Sequence, residues 1–291
     1  MKKILLLVSS CLLLVNSLSA QDNKTDDADK KFRFGLKITP TPTWFRSDIQ
    51  KNIKNEGLKF GFGFGLQTEF RINSTASFVT GIGGDFLGGK QTYVNGQGYI
   101  LDKDNNYTDF VKTDFTTGAP SFTATTNTNK FYEIKSRNVK ATYVTIPLLL
   151  KLMTKDISGL KYFGMFGGNL AIQTGYKATD EITELKFNNT TLKYESGSAT
   201  STITEMRPSG DLIPFNLGLN VGLGAEYNLS GTTSLFLSVN YLRGFVNQYQ
   251  GTSEIMVDKI LENVNNSTKP SSGSKQSAFS DGVQINIGIL F

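Results

Sequence analysis

The chain has 291 residues, with 29 Gly, 21 Phe, 11 Tyr, a single Cys, no His and a formal charge of +5. A mean hydropathy of -0.20, with no apolar run near the roughly 20 residues of a spanning helix beyond the N-terminal stretch, excludes a helical membrane protein. The lack of His excludes Ser-His-Asp catalysis and ordinary His-ligated zinc, and so small and dispersed a charge argues against a nucleic-acid partner.

Met1, Lys2 and Lys3 are a positive head, Ile4 to Val15 is almost unbroken apolar chain, and Asn16 to Ala20 is small and polar. That is the layout of a secretory signal peptide at residues 1–20. A cut after Ala20 is expected, with Ser19 as the alternative because Leu18 is large for its position, and Gln21 then opens the mature chain. Cys11, behind Val8, Ser9 and Ser10, has the look of a lipoprotein box. The apolar run ahead of it is too short, and the residues after it stay apolar, so a cleaved signal peptide is the better reading. Cleavage removes the cysteine, leaving neither a disulfide framework nor a thiol nucleophile. It also lowers the charge to +3, with 28 Lys and Arg against 25 Asp and Glu. Residues 21–31, rich in Asp and Lys, are expected to be a solvated periplasmic lead-in.

Within residues 32–291, segment after segment alternates with period two, a pattern that a helix would scatter around its circumference. Phe32, Phe34, Leu36 and Ile38 oppose Arg33, Gly35, Lys37 and Thr39. Along Leu58 to Phe70, Phe60, Phe62, Phe64 and Leu66 share one face, while Gly61, Gly63, Gly65, Gln67 and Glu69 share the other. Phe78 to Phe86 sets Gly81, Gly83 and Asp85 against Phe78, Ile82 and Phe86. Val139 to Met153 sets Val144, Ile146, Leu148 and Leu150 against Thr145, Pro147, Leu149 and Lys151. Tyr162 to Tyr176 and Leu235 to Phe245 carry Asn169, Gln173, Ser238 and Asn240 on their polar sides. Between them, Phe215 to Tyr227 alternates Phe215, Leu217, Leu219 and Val221 with Asn216, Gly218, Asn220 and Gly222. The chain ends on Val283, Ile285, Ile287, Ile289 and Phe291 in the same rhythm. Eight strands follow, and low hydropathy is no objection, since only alternate residues of a membrane barrel meet lipid.

The connections alternate in length. Arg71 to Ser77, Thr154 to Lys161 and Ser230 to Ser234 are short, whereas those around Asn95 to Arg137, Lys177 to Leu212 and Val246 to Ser280 are long, with Arg46 to Gly57 intermediate. The fold class is therefore all-β: a transmembrane antiparallel up-and-down barrel in the outer membrane, with termini and short turns periplasmic and long loops extracellular. Within the loops, Glu181 to Phe187 with Thr191 to Tyr194, and Gln91 to Val94 with Tyr99 to Leu101, flank Asn-containing turns and are expected as hairpins or strand extensions above the membrane. Ten or twelve spanning strands is the alternative count.

A soluble barrel would turn the large apolar face inward and leave the glycines outside with no crowding to relieve. In a small membrane barrel, Gly63, Gly65, Gly218, Gly222 and Gly224 make room for inward side chains, and Arg33, Lys37, Lys59, Glu69, Asp85, Lys151 and Glu226 then pair across a plugged lumen. No catalytic, cofactor-binding or metal constellation is expected. Asp102, Asp104 and Asp109 lack the full calcium-loop spacing and are better read as solvated loop charge. The runs Gly61 to Gly65 and Gly81 to Gly84 have no following Lys-Ser/Thr helix and are not nucleotide loops.

The string Tyr143 to Lys151, Tyr-Val-Thr-Ile-Pro-Leu-Leu-Leu-Lys, resembles a segment of porin-family, PorT-like outer-membrane barrels of Bacteroidetes, and the Gly-rich strand after it and the terminal Phe291 agree. The resemblance is sharp over that string and diffuse over the other strands. It implies fold and location, recognition of the C-terminal aromatic by barrel-assembly machinery, and a link to protein secretion, with no matching functional site. Two roles result for a non-enzymatic barrel: an envelope-interaction protein meeting extracellular partners through its loops, or a narrow channel or accessory part of a secretion system. Partners are then outer-membrane lipid, the assembly machinery and loop-bound proteins, and not nucleic acid. The sequence leaves the oligomeric state open.

Overall fold

The structure, a computed structural model, describes residues 31–102, 104–108, 130–208, 211–253, 255–266 and 273–291. The expected signal peptide at residues 1–20 and all of the expected lead-in but Lys31 lie outside the described residues. In chain order the strands are β1 (Phe32–Arg46), β2 (Ile53–Asn55), β3 (Lys59–Arg71), β4 (Ala76–Tyr93), β5 (Gly98–Leu101), β6 (Tyr107–Thr108), β7 (Lys130–Met153), β8 (Leu160–Asn188), β9 (Lys193–Met206), β10 (Phe215–Ser230), β11 (Thr233–Gly244), β12 (Met256–Val257) and β13 (Phe279–Leu290), with a short helix α1 (Ile260–Asn266).

Eight strands make the antiparallel ring β1-β3-β4-β7-β8-β10-β11-β13, which closes where β13 pairs with β1 from Gly35↔Leu290 to Arg46↔Phe279. Closure leaves no edge at membrane depth. The count of eight excludes the ten- and twelve-strand alternatives. Outward residues are exposed and apolar: Phe34, Leu36, Phe62, Phe64, Leu66, Ile82, Leu148, Phe166 and Leu237 are each at least two-fifths exposed. Apolar side chains exposed around a whole ring face lipid, not water. Aromatic contacts at the periplasmic rim, Phe32 with Phe70 at 5.2 Å and Phe34 with Phe291 at 5.5 Å, tie adjacent strands. The Phe291 N–H also donates to the Phe34 carbonyl at 2.7 Å.

The glycines divide into two kinds. A Cβ on Gly63 would stand 2.1 Å from the Asp85 carboxylate, and one on Gly222 would strike the Asn240 amide at 2.4 Å, so both make room for inward side chains as expected. Gly65 and Gly218 differ, because their nearest neighbours are the backbone oxygens of Ile82 and Arg243 at 2.7 and 2.8 Å. These two permit close strand approach in a tightly curved wall.

Above the membrane the wall continues. β7 and β8 are far longer than their alternating segments and stay paired up to Phe131↔Leu185. β9 extends the lane of β10 beside β8, and β2 extends that of β3 beside β4. The expected β8–β9 hairpin is present, turning after Asn188, whose side chain accepts the Thr190 N–H at 2.9 Å. Of the two readings for Gln91–Val94 and Tyr99–Leu101, the strand extension is found and the hairpin is not: β5 pairs with β7, Tyr99 opposite Tyr132, and so continues the lane of β4. The bend at Asn95 and Gly96 (φ 60°) redirects the chain without reversing it. The β11–β13 connection crosses the mouth, placing β12 against β5 and bringing α1 to the outer end of β9.

Candidate functional site

The lumen is filled in layers. Near the periplasmic end Arg33, Glu69, Lys151 and Glu226, one each from β1, β3, β7 and β10, form a closed ring of charge. Arg33 donates to Glu226 and, at 3.0 Å, to Glu69, while Lys151 Nζ donates to Glu69 at 3.0 Å and to Glu226 at 2.8 Å. The lysine and the two glutamates are at most 3% exposed, and the two positive charges match the two negative. Lys151 also lies 4.5 Å above the Phe163 ring, within an apolar collar that includes Phe236, Met153 and Met165. Four strands thereby interlock through groups that alternation puts on the lumen side.

The next layer is mostly amide and hydroxyl, with Lys37 and Asp85 beside it. Asn240 donates to Asn220 at 2.7 Å, Asn220 to Asn169 at 3.1 Å, and Asn286 to Ser238 at 3.0 Å. Small cavities of about 60 and 20 Å³ remain around Asp85, Thr145 and Asn169, enough for a few waters. Lys37 lines the smaller, across from Asp85. Of the seven charged residues that alternation places in the lumen, the structure gathers four into the ring and two about this chamber. Lys59 is apart from both: its carbonyl accepts from Thr43 at 3.4 Å near the mouth, and its side chain is half-buried.

A third layer escapes the sequence pattern. Arg137 and Asp180, both fully buried, make a bidentate pair at 2.8 and 2.7 Å. Tyr99 donates to Asp180 at 3.0 Å, Arg137 donates to the Tyr107 hydroxyl at 2.9 Å, and Tyr176 and Tyr249 share a bond of 2.9 Å. Burial pushes the Tyr99 and Tyr107 phenols well above their ordinary pKa, which keeps them neutral donors and acceptors. Phe45, Ile134, Tyr143, Ile182 and Met256 pack around them. A signal exists, because Arg137 continues the inward register of Val139, Ala141 and Tyr143, but both partners fall in stretches whose composition reads as loop.

Asp102, weighed above as a calcium ligand or as loop charge, accepts the backbone N–H groups of Asp104 and Asn106 at 2.8 and 2.9 Å, holding its own turn. Asp109 lies outside the described residues.

A sequence profile of the outer membrane protein beta-barrel domain matches residues 19–250. Similar solved structures include NspA, a Neisserial surface protein (11% identity, 90% of this chain and 98% of that one, TM-score 0.33). OprG from Pseudomonas aeruginosa is 11% identical over 92% of this chain and 99% of that one, with a TM-score of 0.36. A major outer membrane protein from Thermus thermophilus is 13% identical over 90% and 100%, with a TM-score of 0.35. No curated protein matches. The profile match, covering well over half of the chain, and the closed ring with its apolar exterior agree on location in the outer membrane, and the chain belongs to the outer membrane protein beta-barrel domain family.

Proposed function

We propose that this barrel is a sealed, non-enzymatic scaffold that presents an extracellular cap to other envelope or extracellular proteins. The observation that carries the reading is that the long connections fold into a cap with its own buried aromatic and ionic core, while the lumen below is packed with paired charge. A diffusion pore needs an open lumen; a display scaffold needs a rigid wall and an ordered outer surface.

The contact surface is the β8–β9 hairpin. Among the described residues β9 pairs with β8 alone, and most of its length is exposed on both faces. Near its start the edge is already used: the Tyr194 N–H donates to Asn265 Oδ1 at 2.6 Å, and Asn265 Nδ2 donates to the Tyr194 carbonyl at 2.8 Å, the two bonds a neighbouring strand would make. The rest of that edge, Ser198 to Ile203, is Ser/Thr-rich and uncharged, chemistry suited to strand addition by an extended partner. The PorT-like likeness of Tyr143 to Lys151 supports a place beside a secretion apparatus in Bacteroidetes, with export by residues 1–20 and recognition of Phe291 by the assembly machinery. Vesicles carrying the full-length protein, and vesicles carrying a variant with Asn188–Ile203 replaced by a short turn, are compared in crosslinked capture of outer-membrane proteins and in ion conductance. Loss of specific capture in a variant that still shifts on heating supports the reading; steady conductance by the unaltered barrel overturns it.

A further inference from the structure

On the exterior of the wall, just above the lipid-facing belt, three lysines occupy adjoining positions on neighbouring strands. Lys140 on β7 stands directly opposite Lys177 on β8. Lys90 on β4 pairs with Asn138, one step along the same face of β7. The shared face is external, because Lys140 continues the outward register of Val144 and Thr142 whereas Val139 and Ala141 beside it are buried. Like charges directly opposite on adjacent strands destabilise a sheet. Compensation within the protein is slight: Lys177 meets Glu205 at 2.6 Å with both side chains about two-thirds exposed, and Lys90 lies 3.9 Å from Glu56. Exposed pairs of this kind are weak and readily exchanged for another anion.

Height decides which anion. Lys140 is four residues beyond Val144 along one strand, so its Cα lies about 10 Å above the last apolar outward residue of β7 once strand tilt is allowed for. A flexible lysine at that level reaches down to the headgroup layer. Since the short turns mark the periplasmic side, that layer belongs to the outer leaflet. We propose that Lys90, Lys140 and Lys177 cradle a phosphoryl group of an outer-leaflet glycolipid, whose acyl chains continue down the apolar wall below. The inference is independent of the cap's partners.

The test uses the full-length protein, delipidated in neutral detergent, and native mass spectrometry with bisphosphorylated lipid A as probe. Saturable binding is expected, weakened at least about tenfold by dephosphorylation of the lipid and by the double substitution Lys140→Gln, Lys177→Gln. The pair Lys140→Arg, Lys177→Arg should retain binding, and heat-dependent gel mobility confirms that each variant is folded. Equal binding of dephosphorylated lipid, or unchanged binding by the glutamine variant, overturns the proposal. So does displacement by millimolar inorganic phosphate, which marks a soluble-anion site instead of a lipid contact.

Discussion

Lys151 illustrates how much depends on single residues in a lumen too narrow to hydrate its charges. It is 1% exposed and bridges Glu69 and Glu226, so Lys151→Met leaves two carboxylates to share Arg33. Removing one partner of a buried network costs about 3–5 kcal/mol, because the charge left behind is uncompensated. The single variant should unfold at a clearly lower urea concentration in detergent, whereas Lys151→Met combined with Glu226→Gln should recover part of the loss. A double variant destabilised by the full sum of the two single costs, with Glu226→Gln measured alone, would show that the ring is not energetically coupled. Arg137 obeys the same logic in the cap: with its guanidinium removed, Asp180 retains only the Tyr99 hydroxyl among the bonds described above.

At the scale of the strand, the alternation makes a directional claim. Phe64 is outward near the middle of β3, and Phe60 is outward near its extracellular end. Phe64→Arg should therefore cost about 2–4 kcal/mol and Phe60→Arg no more than about 1 kcal/mol, measured as folding equilibria into lipid vesicles. Similar costs at the two positions would contradict the assigned membrane depth. The same alternation makes the eight ring strands and the four members of the charged ring legible, because a lipid face and a narrow lumen impose opposite chemistry on successive residues. The signal fades above the membrane, where both faces of β7 and β8 pack against protein or meet water. Phe131 and Tyr132 are buried in succession, as are Ser136 and Arg137, so the alternation breaks there although Arg137 keeps the inward register of Val139. For β5 the sequence leaves hairpin and strand extension both open, because an Asn-Gly pair specifies a bend without choosing a partner; in the structure Ile260, from a distant part of the chain, sits against Gly98 where β5 lies beside β7.

For the whole molecule, the proposed seal has two parts in series: the ion-paired ring with its phenyl collar below, and the aromatic cap with the β11–β13 connection above. Either alone should block ions, since conductance through a series path is set by its tightest point. Replacing residues 246–278 by a short turn removes much of the upper closure while leaving the eight ring strands and Arg33, Glu69, Lys151 and Glu226 in place. The shortened protein should still migrate faster unheated than boiled in SDS, as a closed barrel, and should show baseline conductance in a planar bilayer. If it conducts steadily, the charged ring is a lattice of struts around a water path and not a seal, and the cap becomes the gate. If it neither conducts nor shifts on heating, the connection is needed for the ring to close, and the interior clusters that it joins through Tyr249 and Met256 are part of the barrel's own folding core.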